Sequence, residues 1–74
     1  NRSLIMEILI AKRIKDLMKN EKLTQMQLAT ALGIGQSSVS DWINAKSEPS
    51  IENLWKLADF FDVSIDYLIG RKEI

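Results

Sequence analysis

Apolar residues recur along the chain at the three- and four-residue spacing of amphipathic helices. In the first third, one such face predicts a helix over residues 8–20; its members are Ile10, Ile14, Leu17 and Met18. No stretch alternates apolar and polar residues as a half-buried strand does, although residues 4–8 have the composition of an extended arm. The pattern predicts an all-α fold of five short helices.

Capping residues set the bounds of the second and third helices. Thr24 and Gln27 form a Thr-x-x-Gln capping box, which begins a helix. Gly33 can adopt the left-handed conformation that ends one. A third helix is then predicted over residues 36–44, entered through Gly35.

Two serines predict the remaining helices. Pro49 disfavours helix at the residue before it, so residues 46–49 form a turn and Ser50 caps the fourth helix. Its predicted inward residues are Ile51, Leu54, Leu57, Ala58 and Phe61. Ser64 caps a fifth helix over residues 65–69, which Gly70 ends.

The short connection between the second and third helices carries the functional prediction. Only residues 33–35 join them, so the two helices must cross steeply, with small and apolar residues at the crossing. Ala29 and Ile34 supply such residues, and Val39 and Trp42 give the third helix its inward face, with Ile43 beside them. The third helix therefore presents hydrogen-bonding side chains outward: Gln36, Ser37, Ser40, Asp41 and Asn44.

Composition narrows the function classes. The 74 residues fit one domain, and without His or Cys the chain lacks the usual zinc ligands and the usual general base. We therefore expect no enzyme, no metal and no cofactor, and a reducing, cytoplasmic setting. The apolar run over residues 4–10 is interrupted by Glu7 and too short to span a membrane, which needs about 20 residues.

The number and distribution of charged residues affect the expected affinity for nucleic acid. Ten basic and ten acidic residues give zero net charge, which predicts modest non-specific affinity for nucleic acid. The first third is nevertheless rich in basic residues: Lys12, Arg13, Lys15, Lys19 and Lys22.

The chain resembles the lambda-repressor/Cro-type (XRE-like) helix-turn-helix family over residues 11–70. The matching segments are LTQMQLA (23–29), LGI (32–34), SVSDW (38–42), KSEPS (46–50), LAD (57–59) and VSIDYLIG (63–70). The resemblance implies a compact five-helix DNA-binding domain over residues 8–70, a tail over 71–74, and an N-terminal arm or non-native remnant over 1–7. It also implies a prokaryotic or phage transcriptional regulator, acting as a repressor, that binds a double-stranded operator as a homodimer.

The resemblance also assigns candidate DNA contacts. The positions that touch base edges correspond to Gln36, Ser37, Ser40 and Asp41 on the third helix, which becomes the recognition helix. Asp41 is open to two interpretations: it is a filter that accepts from cytosine N4, or it is a surface charge that is either solvated or paired with Lys46. The positions that meet the DNA backbone correspond to Thr24, Gln25, Asn44 and Lys46.

The sequence departs from the family pattern at two places. Many relatives have a buried Arg–Glu pair where this chain has Met18 and Ile43, so we expect these two apolar residues to pack on each other. Ala45 stands where relatives often have Gly, which predicts an altered turn.

The sequence leaves alternatives for the dimer interface and for the binding partner. Trp55 is either rim packing or, with Phe60, part of a dimer contact, and the apolar arm over residues 4–10 is the other candidate interface. The alternative function is an antitoxin or controller-type module that uses the same fold to bind a protein partner.

Overall fold

Five helices follow one another along the chain, joined by short turns. The computed structural model describes the backbone of residues 2–74 and the side chains from residue 4 onward. The helices are α1 (Arg2–Asn20), α2 (Gln25–Leu32), α3 (Gln36–Ile43), α4 (Ile51–Phe61) and α5 (Ile65–Leu68). Residues 2–74 contain no strand, which confirms the all-α, five-helix prediction.

The predicted caps are present. Thr24 Oγ1 accepts a hydrogen bond from Gln27 N at 3.1 Å, and Gln27 Oε1 accepts one from Thr24 N at 2.9 Å, so the capping box is complete. Gly33 ends α2 with a left-handed φ of 71°. Ser50 and Ser64 begin α4 and α5, and each hydroxyl accepts a backbone N–H three residues on. These contacts are local, and therefore the sequence predicts them well.

The start of α1 differs from the prediction. The helix begins at Arg2 and not at residue 8, so the residues interpreted as an arm continue the helix. Leu4, Ile5 and Ile8 on this extension are each more than half exposed. A helix satisfies its backbone hydrogen bonds internally, so it can continue beyond the residues that the core buries.

All five helices contribute to one core. Its buried members are Ile10, Ile14, Met18, Leu28, Ala29, Leu32, Val39, Trp42, Leu57, Phe61 and Leu68. α1 packs against α3 and α5, and α2 packs against α3 and α4. The helix-turn-helix pair is therefore held from both sides, which fixes the orientation of α3.

Small corrections concern α3, α4 and α5. Ile51 was predicted to point inward but is 81% exposed, because it is the first residue of α4 and lies a turn before the residues that reach the core. Asn44 and Ile69 are the C-caps of α3 and α5, so each helix ends one residue earlier than predicted. Among the described helices, none is long and apolar enough to cross a membrane.

Candidate nucleic-acid interface

The crossing of α2 and α3 is built by the residues that the sequence indicated. Ala29 is 3% exposed at the contact between the helices, and Ile34 packs against the core from the turn between them. Val39 and Trp42 are buried on the inward side of α3. Lys56 of α4 adds a contact from outside this pair, donating from Nζ to the carbonyl oxygen of Leu32, the last residue of α2, at 3.4 Å.

The outward face of α3 is polar along its whole length. Ser37, Ser40, Asp41 and Asn44 have the i, i+3, i+4, i+7 spacing that places side chains on one helix face. Gln36 is exposed at the first position of the helix, beside Ser37. The structure therefore brings the predicted base-contacting residues together on one element. Ser40 and Asp41 are half-buried, whereas Gln36 and Ser37 are exposed.

Asn44 is anchored at the end of this face. Its Nδ2 donates to the carbonyl oxygen of Ser40 at 2.8 Å and lies 3.4 Å from the Ser40 hydroxyl oxygen. The Ser40 carbonyl oxygen also accepts the backbone N–H of Asn44 at 3.1 Å, so two hydrogen bonds hold Asn44 to it. Both contacts use Nδ2, so Asn44 can donate to a ligand by exchanging the longer one, to the Ser40 hydroxyl oxygen, while its amide carbonyl oxygen can accept.

Asp41 contacts Lys46 through the backbone. Lys46 N donates to the Asp41 carbonyl oxygen at 2.8 Å. Within residues 4–74, no ion pair joins the Asp41 carboxylate to the Lys46 ammonium. Asp41 is therefore not paired with Lys46 in this structure, and its carboxylate remains on the outward face beside Ser37 and Ser40.

The beginning of α2 carries the other predicted backbone-contacting residues. The oxygen of Thr24 accepts the capping hydrogen bond, which leaves its hydroxyl hydrogen available to an acceptor such as phosphate. Gln25 is half-buried at the first position of α2. The first N–H groups of a helix lack intrahelical partners and carry the positive end of its dipole, so this end suits an anion.

The structure adds a cleft that the sequence reasoning missed. It lies between α1 and the end of α3, with a volume of about 480 Å³, and its lining is Ile8, Ala11, Lys12, Lys15, Ile43, Asn44 and Ala45. Lys12 and Lys15 were visible in the sequence as basic residues three positions apart. Their placement beside Asn44 depends on the packing of α1 on α3, which the helical pattern of α1 alone did not reveal.

The structure places Trp55 and Phe60 on different flanks of α4. Five positions along a helix correspond to a rotation of about 140°. Trp55 is 64% exposed, with Nε1 donating to Asp59 Oδ2 at 3.1 Å, and lies with Ala58 and Ile65 around a shallow pocket. Phe60 instead packs edge-to-face on Phe61, with ring centroids 5.0 Å apart. The two side chains thus lie on different flanks of α4, and their place in a dimer interface stays a prediction.

Within residues 4–74, no three acidic, His or Cys side chains lie close enough together to hold a metal ion.

A comparison with protein families decides which family this architecture represents. A family model described as helix-turn-helix matches residues 14–68, which include α2, α3, α4 and α5. The chain belongs to the helix-turn-helix family. The resemblance drawn from the sequence is confirmed.

Two named relatives of this helix-turn-helix chain are described as transcriptional regulators or repressors. It is 32% identical over 65 residues to the HTH-type transcriptional regulator ImmR of Bacillus subtilis, a match covering 88% of this chain and 51% of ImmR. It is 37% identical over 62 residues to the cryptic phage CTXphi transcriptional repressor RstR of Vibrio cholerae, covering 84% of this chain and 55% of RstR. The chain thus spans about half the length of these relatives.

A solved structure and an antitoxin are also similar to this helix-turn-helix chain. The crystal structure of a transcriptional regulator from Listeria innocua superposes with a TM-score of 0.78 at 33% identity, covering 82% of this chain and 57% of that one. The antitoxin PezA of Streptococcus pneumoniae is 33% identical over 66 residues, covering 89% of this chain and 42% of PezA.

Proposed function

We propose that this chain binds double-stranded DNA sequence-specifically, as the operator-binding part of a cytoplasmic transcriptional repressor, with α3 in the major groove. The observation that carries the proposal is the polar face of α3, formed by Ser37, Ser40, Asp41 and Asn44 and held rigidly by the buried Val39 and Trp42. Side chains that read base edges must be fixed by packing beneath them, and this face meets that requirement.

The dimensions of α3 fit the groove. Its eight residues correspond to a length of about 12 Å, close to the width of the major groove of about 12 Å. With α3 in the groove, the beginning of α2 and the end of α3 approach the flanking phosphates. Thr24 and Gln25 at one end, with Asn44 and Lys46 at the other, then supply the backbone contacts.

Base-edge hydrogen bonds carry most of the specificity in this proposal. The chain has zero net charge, and the reading face holds one carboxylate and no cation. Gln36 can bond adenine N6 and N7, serines accept several bases, and Asp41 selects cytosine by accepting from N4. A carboxylate is repelled by the acceptors of guanine and thymine, which offer no donor in the major groove, so Asp41 discriminates against these two bases.

The repressor acts as a homodimer in this proposal. Two copies related by a two-fold axis read half-sites separated by about 34–36 Å, one helical turn of DNA. The name of RstR as a transcriptional repressor supports repression for this chain.

In-vitro selection from a randomised duplex pool tests the proposal. We expect enrichment of one two-fold related sequence, with a salt dependence corresponding to about 3–5 neutralised phosphates per site. Repeating the selection with Asp41→Asn should relax one base position, with Lys72→Gln on the tail as the unaffected control. Failure to enrich any sequence at low salt contradicts the proposal.

A protein-binding function is the second candidate. The similarity to the antitoxin PezA and the exposed Trp55 support it. Two results together would support this function. A protein partner would co-purify with the chain at a fixed stoichiometry, and the selection would enrich no DNA site.

A further inference from the structure

The cleft between α1 and the end of α3 combines an apolar floor with cationic side chains. Ile8, Ala11 and Ile43 supply the apolar part, whereas Lys12 and Lys15 carry ammonium groups on long flexible stems. No carboxylate is among the residues that line it. Its chemistry therefore favours an anion.

Asn44 makes this cleft continuous with the reading face of α3. Its side chain lines the cleft, and it is also the last member of the outward stripe that includes Ser37, Ser40 and Asp41. Its hydrogen bond to the Ser40 carbonyl oxygen holds it at this junction. A ligand that covers the end of the reading face therefore also reaches the mouth of the cleft.

The two lysines differ in how they are engaged. Within residues 4–74, Lys15 makes no ion pair, so its ammonium group is available. Lys12 pairs with Asp16 at 3.1 Å, but both side chains are largely exposed, at 66% and 48%. Exposed pairs of this kind are weak, so a phosphate can compete with Asp16 for Lys12.

We propose that Lys12 and Lys15 bind the sugar-phosphate backbone beside the C-terminal end of the recognition helix, so that α1 is part of the DNA interface. This inference rests on the proposed function. Phosphodiester oxygens fit because lysine binds phosphate as a mobile point charge and the amide of Asn44 can donate beside it. The operator then has backbone contacts on α1 as well as at the beginning of α2.

The salt dependence of binding measures these contacts directly. Each phosphate neutralised contributes about 0.9 to the slope of log affinity against log salt. Lys15→Gln should lower the slope by about 0.9, which corresponds to about a fivefold loss of affinity at 0.15 M salt relative to a 1 M reference. The loss should be the same for the selected operator and for an unrelated duplex, because phosphates are common to both.

The experiment is a fluorescence anisotropy titration of both duplexes at several salt concentrations. Lys72→Gln is the matched control, since it removes the same charge from the tail, and Lys15→Arg should retain the slope. Melting temperatures of all variants should match that of the unmodified chain, because Lys15 is exposed.

The outcomes separate the two proposals. If the unmodified chain binds no duplex, the proposed function fails and this inference fails with it. If it binds its operator but Lys15→Gln and Lys72→Gln have equal slopes, the inference alone is overturned. A change of preferred sequence in Lys15→Gln also overturns it, because the cleft would then contact bases.

Discussion

The guanidinium carbon of Arg13 lies 4.4 Å from the centroid of the Tyr67 ring, so that a cation–π contact joins α1 to α5. The Nε atom of Arg13 is buried and has no hydrogen-bond partner in the described part of the chain, so the ring face is the favourable contact of this group. α5 is a single turn of four residues and depends on tertiary contacts of this kind.

Replacing the ring should therefore loosen α5. We expect Tyr67→Leu to lower the free energy of unfolding by roughly 0.5–2 kcal/mol, while Tyr67→Phe, which keeps the ring, changes it little. Urea denaturation of both variants measures the difference. Adding Arg13→Met should have little further effect in the Leu background, and an undiminished effect there contradicts the coupling.

Ala45 occupies a conformation that suits glycine. Its φ is 56°, in the left-handed region, where a Cβ atom is disfavoured. We expect Ala45→Gly to raise the free energy of unfolding by about 1 kcal/mol. Ala31→Gly on the exposed side of α2 is the control, because glycine inside a helix should instead cost about 1 kcal/mol. Changes of the same sign in thermal denaturation of the two variants contradict this account.

Met18 and Ile43 belong to the same apolar cluster, Met18 as a buried member and Ile43 packed against it. Their direct contact remains a prediction. We expect Met18→Arg to cost about 3–5 kcal/mol, because it strands a buried charge. Combining it with Ile43→Glu should recover a large part of that loss, as measured by urea denaturation. If the double variant loses as much unfolding free energy as the two single variants lose together, the two side chains do not meet.

Self-association should depend on one flank of α4. Trp55 shares its flank with Ile51, one turn earlier, and lies beside Ile65, and all three are exposed. Phe60 is also exposed, at 44%, but it lies on the other flank, where it contacts only one side of Phe61. We expect Trp55→Ala to weaken the dimer at least tenfold in sedimentation experiments, and Phe60→Ala to change it little. A larger effect from Phe60→Ala places the interface on the other flank. No effect from either one points to the exposed Leu4, Ile5 and Ile8 on α1.

Elements that depend on contacts between neighbouring residues were predictable from the amino-acid sequence. The capping box of Thr24 and Gln27, the left-handed Gly33 and the serine caps are contacts within a few positions, so residue types and spacing are sufficient to predict them. The buried stripe of α3, with Val39 and Trp42, followed from helical periodicity in the same way.

Which helix faces meet was not predictable in this way, because it depends on residues far apart in the chain. The contact of Arg13 with Tyr67 joins opposite ends of the chain, and Lys12 and Lys15 lie beside Asn44 because α1 packs on α3. The exposure of Ile51 and the helical start at Arg2 likewise depend on where the core ends. Periodicity shows that a helix has an apolar face, but the partner of that face is chosen by the packing of the whole chain.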